Sequence, residues 1–215
     1  MPYDSARRQR AIYSRSARLY DLSTALAGFV YRFSDEAERR KAVERLALEP
    51  GQRALEVGVG TGANLRFIAE RVGAGGTIAG MDVTRAMLRI CAQRLEREGT
   101  SAFLIEGDAA HLPFSDHEFD AVLIFGAFNG LDDRETALGE MMRVAKPTAK
   151  IVVADQGMSE SKRNTFLGKL FARQDPWLKV RPPLDLLPAE AHDSRVTHFR
   201  AENWYLIDFT NVLGE

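Results

Sequence analysis

The sequence predicts an α/β fold: a doubly wound, mostly parallel sheet with a C-terminal antiparallel hairpin. Between residues 53 and 154, short apolar segments alternate with longer segments of helical periodicity. Alternating βα units of this length connect through right-handed crossovers and form a parallel sheet. The segment AVLIF at 121–125 is apolar throughout, as expected of a strand that helices cover on both faces.

The elements follow from periodicity and from the residues that begin or end helices. Apolar residues at helical spacing predict one or two helices over 5–32. Ser34 and the two acids after it predict the start of a helix that ends near Leu48, before Pro50 and Gly51. The elements predicted next are strand 53–57, helix 63–72, strand 77–81, helix 84–98, strand 102–106, strand 121–125, helix 132–144 and strand 151–154.

The pattern changes after residue 154. A helix is expected near 162–173, and a Pro-rich stretch follows it from 176 to 188. Two β-rich segments, 195–199 and 204–210, are joined by a short turn. This arrangement predicts the antiparallel hairpin that closes the chain.

Length and composition limit the class of protein. A chain of 215 residues fits one domain, predicted to span 1–215, in which 1–33 form a helical lid or a membrane-facing segment. Hydrophobic residues at 45% and charged residues at 27% exclude collagen-like and disordered chains. Because 29 Lys and Arg balance 30 Asp and Glu, no nucleic-acid partner is expected. With Cys91 as the single cysteine, neither an internal disulfide nor a metal site is predicted.

The N-terminal residues bear on where the protein acts. MPYDSARRQR lacks the apolar core of a signal peptide, and no apolar run approaches the roughly 20 residues of a membrane span. A cytoplasmic protein is therefore expected. The predicted N-terminal helix combines arginines with an apolar stripe, so it could contact an anionic membrane surface peripherally or close over an active site. The sequence leaves these alternatives and the oligomeric state open.

The most informative segment is ALEVGVGTGANL at 54–65, where a buried strand runs into a glycine-rich turn and then a helix. Gly58, Gly60 and Gly62 permit a tight turn and let a ligand approach the backbone. The following helix presents free N–H groups and the positive end of its dipole to such a ligand. In a doubly wound sheet this loop lies at the carboxyl ends of the strands, where ligands bind.

Two carboxylates after the next strands indicate a nucleoside ligand. Asp82 ends the second predicted strand, where it can accept hydrogen bonds from both ribose hydroxyls. Asp108 follows the third strand, where it can accept from the exocyclic amine of adenine. The GxGxG spacing departs from the GxGxxG of dinucleotide sites, and Glu56 favours a cationic sulfonium ligand over a pyrophosphate. These residues favour S-adenosylmethionine over a nicotinamide cofactor, whose oxidoreductases are the rival enzyme class.

Together the motifs resemble the class I S-adenosylmethionine-dependent methyltransferases. ALEVGVGTG, GMD and GDAAHLPFSDHEFDAV are similar to successive motifs of that family, over about residues 45–155. IYSRSARLYD and LPFSDHEFDAVLIFGAFN resemble the ubiquinone/menaquinone C-methyltransferases, whereas LEVGVGTGANL resembles the bacterial phospholipid N-methyltransferases. KPTAK stands in place of the family's Lys-Pro-Gly-Gly turn, and the C-terminal region lacks the ending of the quinone group.

The resemblance implies methyl transfer from S-adenosylmethionine to a small, lipophilic acceptor, either a quinol precursor or a phospholipid amine. No catalytic residue is identified; the candidates are His111, near the pocket mouth, and Tyr20. Tyr13 or Tyr20 could also close over the cofactor from the N-terminal helix. A methyltransferase of a soluble metabolite and a non-catalytic adenosylmethionine-binding module remain alternatives. The implied cofactor contacts are Gly58, Gly60, Gly62 and Glu56 at the methionine part, Asp82 at the ribose, Met81 and Met87 beside the adenosine, Asp108 and Ala109 at the adenine, and Phe125 at the methyl-donor end.

Overall fold

The computed structural model describes residues 35–212. The strands are β1 (Arg53–Val57), β2 (Thr77–Asp82), β3 (Phe103–Glu106), β4 (Phe119–Phe125), β5 (Ala145–Gln156), β6 (Ala191–Phe199) and β7 (Trp204–Asn211). The helices are α1 (Asp35–Glu44), α2 (Leu65–Val72), α3 (Arg85–Glu98), α4 (Arg134–Val144), α5 (Glu160–Arg163) and α6 (Phe166–Gln174). Short 3₁₀ helices are Phe128–Gly130, Pro176–Lys179 and Leu184–Leu186. The helices predicted over 5–32, the cap at Ser34 and both N-terminal tyrosines lie outside the described residues.

The seven strands form one sheet in the order β3-β2-β1-β4-β5-β7-β6. Strands β1 to β5 pair in parallel, β7 runs antiparallel to β5, and β6 runs antiparallel to β7. The predicted sheet with its C-terminal hairpin is therefore confirmed. Since the direction of strand order reverses between the adjacent strands β1 and β4, a ligand crevice is expected at their carboxyl ends.

Alternation along the strands assigns each face of the sheet to a different set of helices. Leu55 and Val57 of β1 belong to the apolar cluster that contains Leu138 of α4. Ala54 of β1 belongs to the opposite cluster, which contains Val43 of α1 together with residues of α2 and α3. Helices therefore cover both faces, which explains why the central strands are apolar almost throughout.

Two predicted helices differ from the structure: one ends earlier, and the other is divided into two. Helix α1 ends at Glu44 rather than near Leu48, and Ala47 takes a positive φ of 50° in the turn that follows. Leu46 and Leu48 are still buried, so the apolar spacing there reflects packing of a turn against the core. The helix predicted near 162–173 is two helices, because the Thr165 hydroxyl accepts a hydrogen bond from Gly168 N and caps a new helix, α6.

Strand β5 begins at Ala145, six residues before the predicted start. The KPTAK segment, predicted as a turn, is extended apart from Thr148, which has a φ of 67°. That left-handed conformation favours glycine, and the related turns of the family have glycine after Lys-Pro.

Candidate active site

A cavity of about 840 Å³ opens at the carboxyl ends of β1, β2, β4 and β5. This is the edge at which a doubly wound sheet binds its ligands. The residues that the sequence predicts for the site and that line this cavity are Glu56, Gly58, Gly60, Met81, Asp82, Met87, Asp108, Ala109, His111 and Phe125.

The glycine loop turns tightly above β1. Gly58, Gly60 and Gly62 have positive φ angles of 66°, 54° and 78°, a conformation that other residues rarely adopt. Gly62 does not line the cavity: a Cβ there would lie 2.5 Å from the Cys91 sulfur of α3. Packing against α3 therefore accounts for this third glycine, whereas the first two face the cavity.

Asp82 is fixed at the end of β2 by backbone donors. Its Oδ2 accepts from Gly60 N at 2.9 Å, and its Oδ1 accepts from Thr84 N at 2.8 Å. Burial raises the pKa of Asp82, while these two N–H groups act in the opposite direction. The carboxylate thus joins the glycine loop to the start of α3 and presents its edge to the cavity.

Glu56 lies on the face of β1 that α1, α2 and α3 cover, and it is fully buried. Its Oε1 accepts from Asn64 Nδ2 at 2.5 Å, and Asn64 Oδ1 accepts from Arg39 Nη1 at 3.0 Å. Burial raises the pKa of Glu56 to about 7, although Asn64 and Arg39 both lower it. The second oxygen, Oε2, has no hydrogen-bond partner among the described residues. A buried carboxylate oxygen without a donor on a cavity wall is suited to a cationic ligand.

The loop after β3 presents Asp108 and His111 at the rim. Their side chains lie 3.8 Å apart, and that of His111 is 83% exposed. The loop is held from outside by Arg143 of α4, which donates to the carbonyls of Leu112 and Phe114 at 3.0 and 2.9 Å. The rim is therefore anchored by its backbone, while the Asp108 carboxylate remains accessible from the cavity.

Phe125, at the end of β4, lies against two buried guanidinium groups that sequence analysis did not identify. The guanidinium carbons of Arg39 and Arg200 lie 4.7 and 5.0 Å from its ring centroid. Asp35 accepts hydrogen bonds from both arginines and joins α1 to the turn between β6 and β7. Trp204 stacks on Phe125 with 5.3 Å between the ring centroids. No local pattern indicates this cluster, because its members come from three distant parts of the chain.

A second network fixes the loop after β4. Asn129 N donates to Asp155 Oδ2 at 2.8 Å, and Asn129 Nδ2 donates to the Gln156 carbonyl at 2.7 Å. Asn129 Oδ1 accepts from the buried Tyr205 hydroxyl at 2.7 Å. Burial raises the pKa of Asp155 to about 6, opposed by backbone N–H groups that include that of Asn129. Because both Asp155 oxygens accept from backbone, this carboxylate anchors the loop between β4 and the ends of β5 and β7.

Comparison with known proteins agrees with this geometry. Residues 55–153 match the family model of a methyltransferase domain. The chain is 38% identical to the demethylmenaquinone methyltransferase of Thermus thermophilus over 145 residues, which cover 67% of this chain and 64% of that protein. It is 31% identical to the chloroplastic 2-phytyl-1,4-beta-naphthoquinone methyltransferase of Arabidopsis thaliana over 164 residues, which cover 74% and 61% of the two chains. The chain thus spans less than two thirds of these relatives.

Solved structures share the fold at low sequence identity. A SAM-dependent methyltransferase from Aquifex aeolicus has a TM-score of 0.59 at 20% identity, covering 81% of this chain and 89% of its own. Haemonchus contortus phosphoethanolamine N-methyltransferase 2, in complex with S-adenosyl-L-methionine, has a TM-score of 0.65 at 17% identity, covering 82% and 53%. The [4+2]-cyclase SpnF has a TM-score of 0.65 at 18% identity, covering 94% and 96%. Since a cyclase shares it, the fold by itself does not define a reaction.

The sheet order, the glycine loop and the family match together define the class: the chain contains a class I S-adenosylmethionine-dependent methyltransferase domain. The predicted class is therefore confirmed. Within it, the chain resembles the quinone methyltransferases. None of the helices within residues 35–212 has the length and apolarity needed to cross a bilayer.

The cavity fits the cofactor of this class. The unpartnered Oε2 of Glu56 suits the ammonium group of S-adenosylmethionine, and the glycine loop leaves room for the methionine part. Asp82 lies where the ribose is expected, and Asp108 lies farther along the rim. Met81 and Met87 are buried side chains on the same wall, which provides an apolar surface for a nucleoside.

Proposed function

We propose that this chain transfers a methyl group from S-adenosylmethionine to a ring carbon of a reduced naphthoquinone. The single observation that carries the cofactor part is the unpartnered oxygen of the fully buried Glu56 on the cavity wall. A buried carboxylate oxygen that lacks a hydrogen-bond donor destabilises a protein unless a ligand compensates it. A cofactor that carries both an ammonium and a sulfonium group supplies that compensation.

The acceptor part of the proposal is supported by the names of the relatives, which are a demethylmenaquinone methyltransferase and a phytyl-naphthoquinone methyltransferase. It is also supported by the aromatic wall of the cavity, where Phe125 and Trp204 stack. A flat apolar ring can pack against these side chains while Trp177 borders the opening. The phospholipid amine that one sequence motif suggests receives no support from these relatives.

When bound, S-adenosylmethionine supplies an activated methyl group on a positively charged sulfur. The protein's own contribution is to hold the acceptor carbon in line with that methyl group and to exclude water. Contacts with the guanidinium groups of Arg39 and Arg200 and stacking with Trp204 fix the Phe125 ring for this purpose. Loss of a quinol hydroxyl proton would make the ring carbon nucleophilic, and that carbon's own proton would leave after transfer, when the ring regains its aromaticity and the hydroxyl its proton. His111 at the rim remains the candidate base.

The test separates cofactor binding from transfer. Calorimetry should show that Glu56→Gln raises the Kd for S-adenosylmethionine at least about tenfold, because the substitution removes the negative charge and keeps the shape. Glu96→Gln, an exposed carboxylate on α3, is the matched control and should bind as the wild type does. Equal Kd values for the two variants would overturn the assignment of Glu56.

Transfer is then measured with methyl-labelled S-adenosylmethionine and reduced demethylmenaquinone in detergent micelles. Label in the naphthoquinone is the expected result. A parallel reaction offers a crude phospholipid extract and a soluble metabolite extract. Label appearing only in one of these extracts assigns that acceptor class instead, and tight cofactor binding without any transfer would indicate a non-catalytic binding module.

A further inference from the structure

Helix α6 has an inverted pattern of burial. The side that packs on the protein consists of Gly168, Ala172 and the partly buried Phe171, which contact the end of α5 and the Met158–Leu178 cluster. Three large apolar side chains point outward: Phe166 is 82% exposed, and Leu167 and Leu170 are exposed as well. A helix on the surface of a globular protein normally has the opposite pattern, so this face is suited to an apolar environment.

The charge around this face is strongly positive. Residues 166–181 contain four basic side chains and one carboxylate, in a chain whose net charge is −1. Lys169 and Arg173 lie on the exposed part of α6, and Lys179 and Arg181 are exposed just after it. Asp175 is the carboxylate, and it is occupied as an acceptor for Trp177 N at 3.0 Å. Apolar side chains flanked by basic ones are typical of helices that lie on anionic lipid.

Trp177 connects this face to the cavity. It follows α6 in the 3₁₀ helix Pro176–Lys179, is 46% exposed, and lines the cavity. Indole rings are favoured at membrane interfaces because they are apolar with one polar N–H group. The apolar face and the mouth of the cavity therefore adjoin at Trp177.

We propose that Phe166, Leu167, Leu170 and Trp177, with Lys169 and Arg173, form a surface that docks on anionic lipid bilayers. Docking there places the cavity mouth at the lipid boundary, so a lipophilic acceptor can enter without crossing water. This last step rests on the proposed quinol substrate, whereas docking itself does not.

The first experiment measures flotation of the full chain with vesicles of phosphatidylcholine alone or mixed with phosphatidylglycerol. Binding to the mixed vesicles that weakens in high salt is expected, because the basic side chains are attracted to anionic headgroups. Phe166→Ser combined with Leu170→Ser should reduce the partition coefficient at least tenfold. The matched control is Phe103→Ser, an aromatic side chain 69% exposed on the edge strand β3, which should bind as the wild type does.

A charge-reversal pair tests the electrostatic part. Lys169→Glu combined with Arg173→Glu should reduce binding to the mixed vesicles at least tenfold. Arg89→Glu combined with Arg97→Glu reverses two exposed charges on α3 and should reduce it far less. Equal losses in the two pairs would mean that only net charge matters, and this would overturn the assignment to α6.

Three other outcomes would also overturn the proposal. The wild-type chain could fail to float with either vesicle. Alternatively, the variant with Phe166→Ser and Leu170→Ser could float as well as the wild type, which would assign docking to another segment. Self-association that Phe166→Ser abolishes would instead assign the face to a second copy of the chain. Because flotation needs no methyl transfer, transfer without docking overturns only this inference, and docking without transfer overturns only the proposed function.

Discussion

The two halves of the cavity are built in different ways. On the cofactor half, Gly58, Gly60, Asp82 and Asp108 follow three successive strands, and each lies within a short motif. On the acceptor half, the walls come from residues that meet only in the folded chain. The ion pair between Asp35 and Arg200, for example, joins residues 165 positions apart. Short-range motifs therefore build the half that we propose holds the cofactor, whereas long-range packing builds the half that we propose faces the acceptor.

The largest effect is expected on the cofactor half. Asp82→Ala removes the acceptor for Gly60 N and Thr84 N as well as the proposed ribose contact. We expect the Kd for S-adenosylmethionine to rise about 100-fold, or about 2.7 kcal/mol, in calorimetry. Asp185→Ala, an exposed carboxylate in the 3₁₀ helix Leu184–Leu186, should leave the Kd unchanged. An unchanged Kd in Asp82→Ala would remove the basis for the cofactor half as described.

This contrast also explains how much could be predicted from the sequence. The strand-to-glycine-loop motif and Asp82 depend on local chemistry, so the sheet and the cofactor wall were predictable. The position of Gly62 was not, because its contact with Cys91 depends on the packing of α3. Arg39 and Asp35 look like ordinary charges at the start of a helix. Only the tertiary structure shows that they join Phe125 and Arg200 in one cluster.

The second largest effect is expected on the free energy of unfolding, when the ion pair between Arg200 and Asp35 beside the acceptor half is broken. Arg200→Met keeps much of the apolar contact with Phe125 and Trp204 but leaves the Asp35 carboxylate with one guanidinium partner fewer. Because Asp35 is partly exposed, we expect a loss of about 2 kcal/mol in the free energy of unfolding, below the range for fully buried pairs. Urea denaturation measures the loss.

Adding Asp35→Asn to Arg200→Met should lower the stability further, because the buried Arg39 guanidinium then loses its carboxylate partner as well. Arg71→Met removes an exposed guanidinium from the exposed Glu44 and serves as the control, with a smaller expected loss. A loss as large in the control as in Arg200→Met would show that the cluster has no special role in organising the acceptor half.

A smaller, pH-dependent effect links the two halves through Glu56. Its pKa of about 7 in the folded chain lies above its ordinary value, so the folded state holds a proton that the unfolded state releases between about pH 4.5 and 7. The free energy of unfolding of the cofactor-free protein should therefore fall as the pH rises through this window. Affinity for S-adenosylmethionine should change in the opposite direction and weaken about tenfold, or about 1.4 kcal/mol, from pH 8 to pH 6.

Glu56→Gln provides the comparison for both pH profiles. The variant has no carboxyl group at this position, so its unfolding profile should lose the decline between about pH 4.5 and 7, and its weak cofactor affinity should vary less with pH. Identical profiles for the variant and the wild type would mean that another group titrates in this range. Asp155, with a pKa of about 6, is the group to examine in that case.

The smallest expected effect is that of Tyr205→Phe, which should change the acceptor half of the cavity and leave the cofactor half unchanged. Tyr205→Phe removes the hydroxyl that donates to Asn129 Oδ1 and leaves the aromatic packing in place. We expect a loss of about 1 kcal/mol in the free energy of unfolding, typical of one hydrogen bond. The loop after β4 should become less ordered, so the KM for the quinol should rise while the Kd for S-adenosylmethionine stays within about twofold. If instead the cofactor Kd rises as much as the quinol KM, the two walls are mechanically coupled, and the division into a local cofactor half and a long-range acceptor half does not hold.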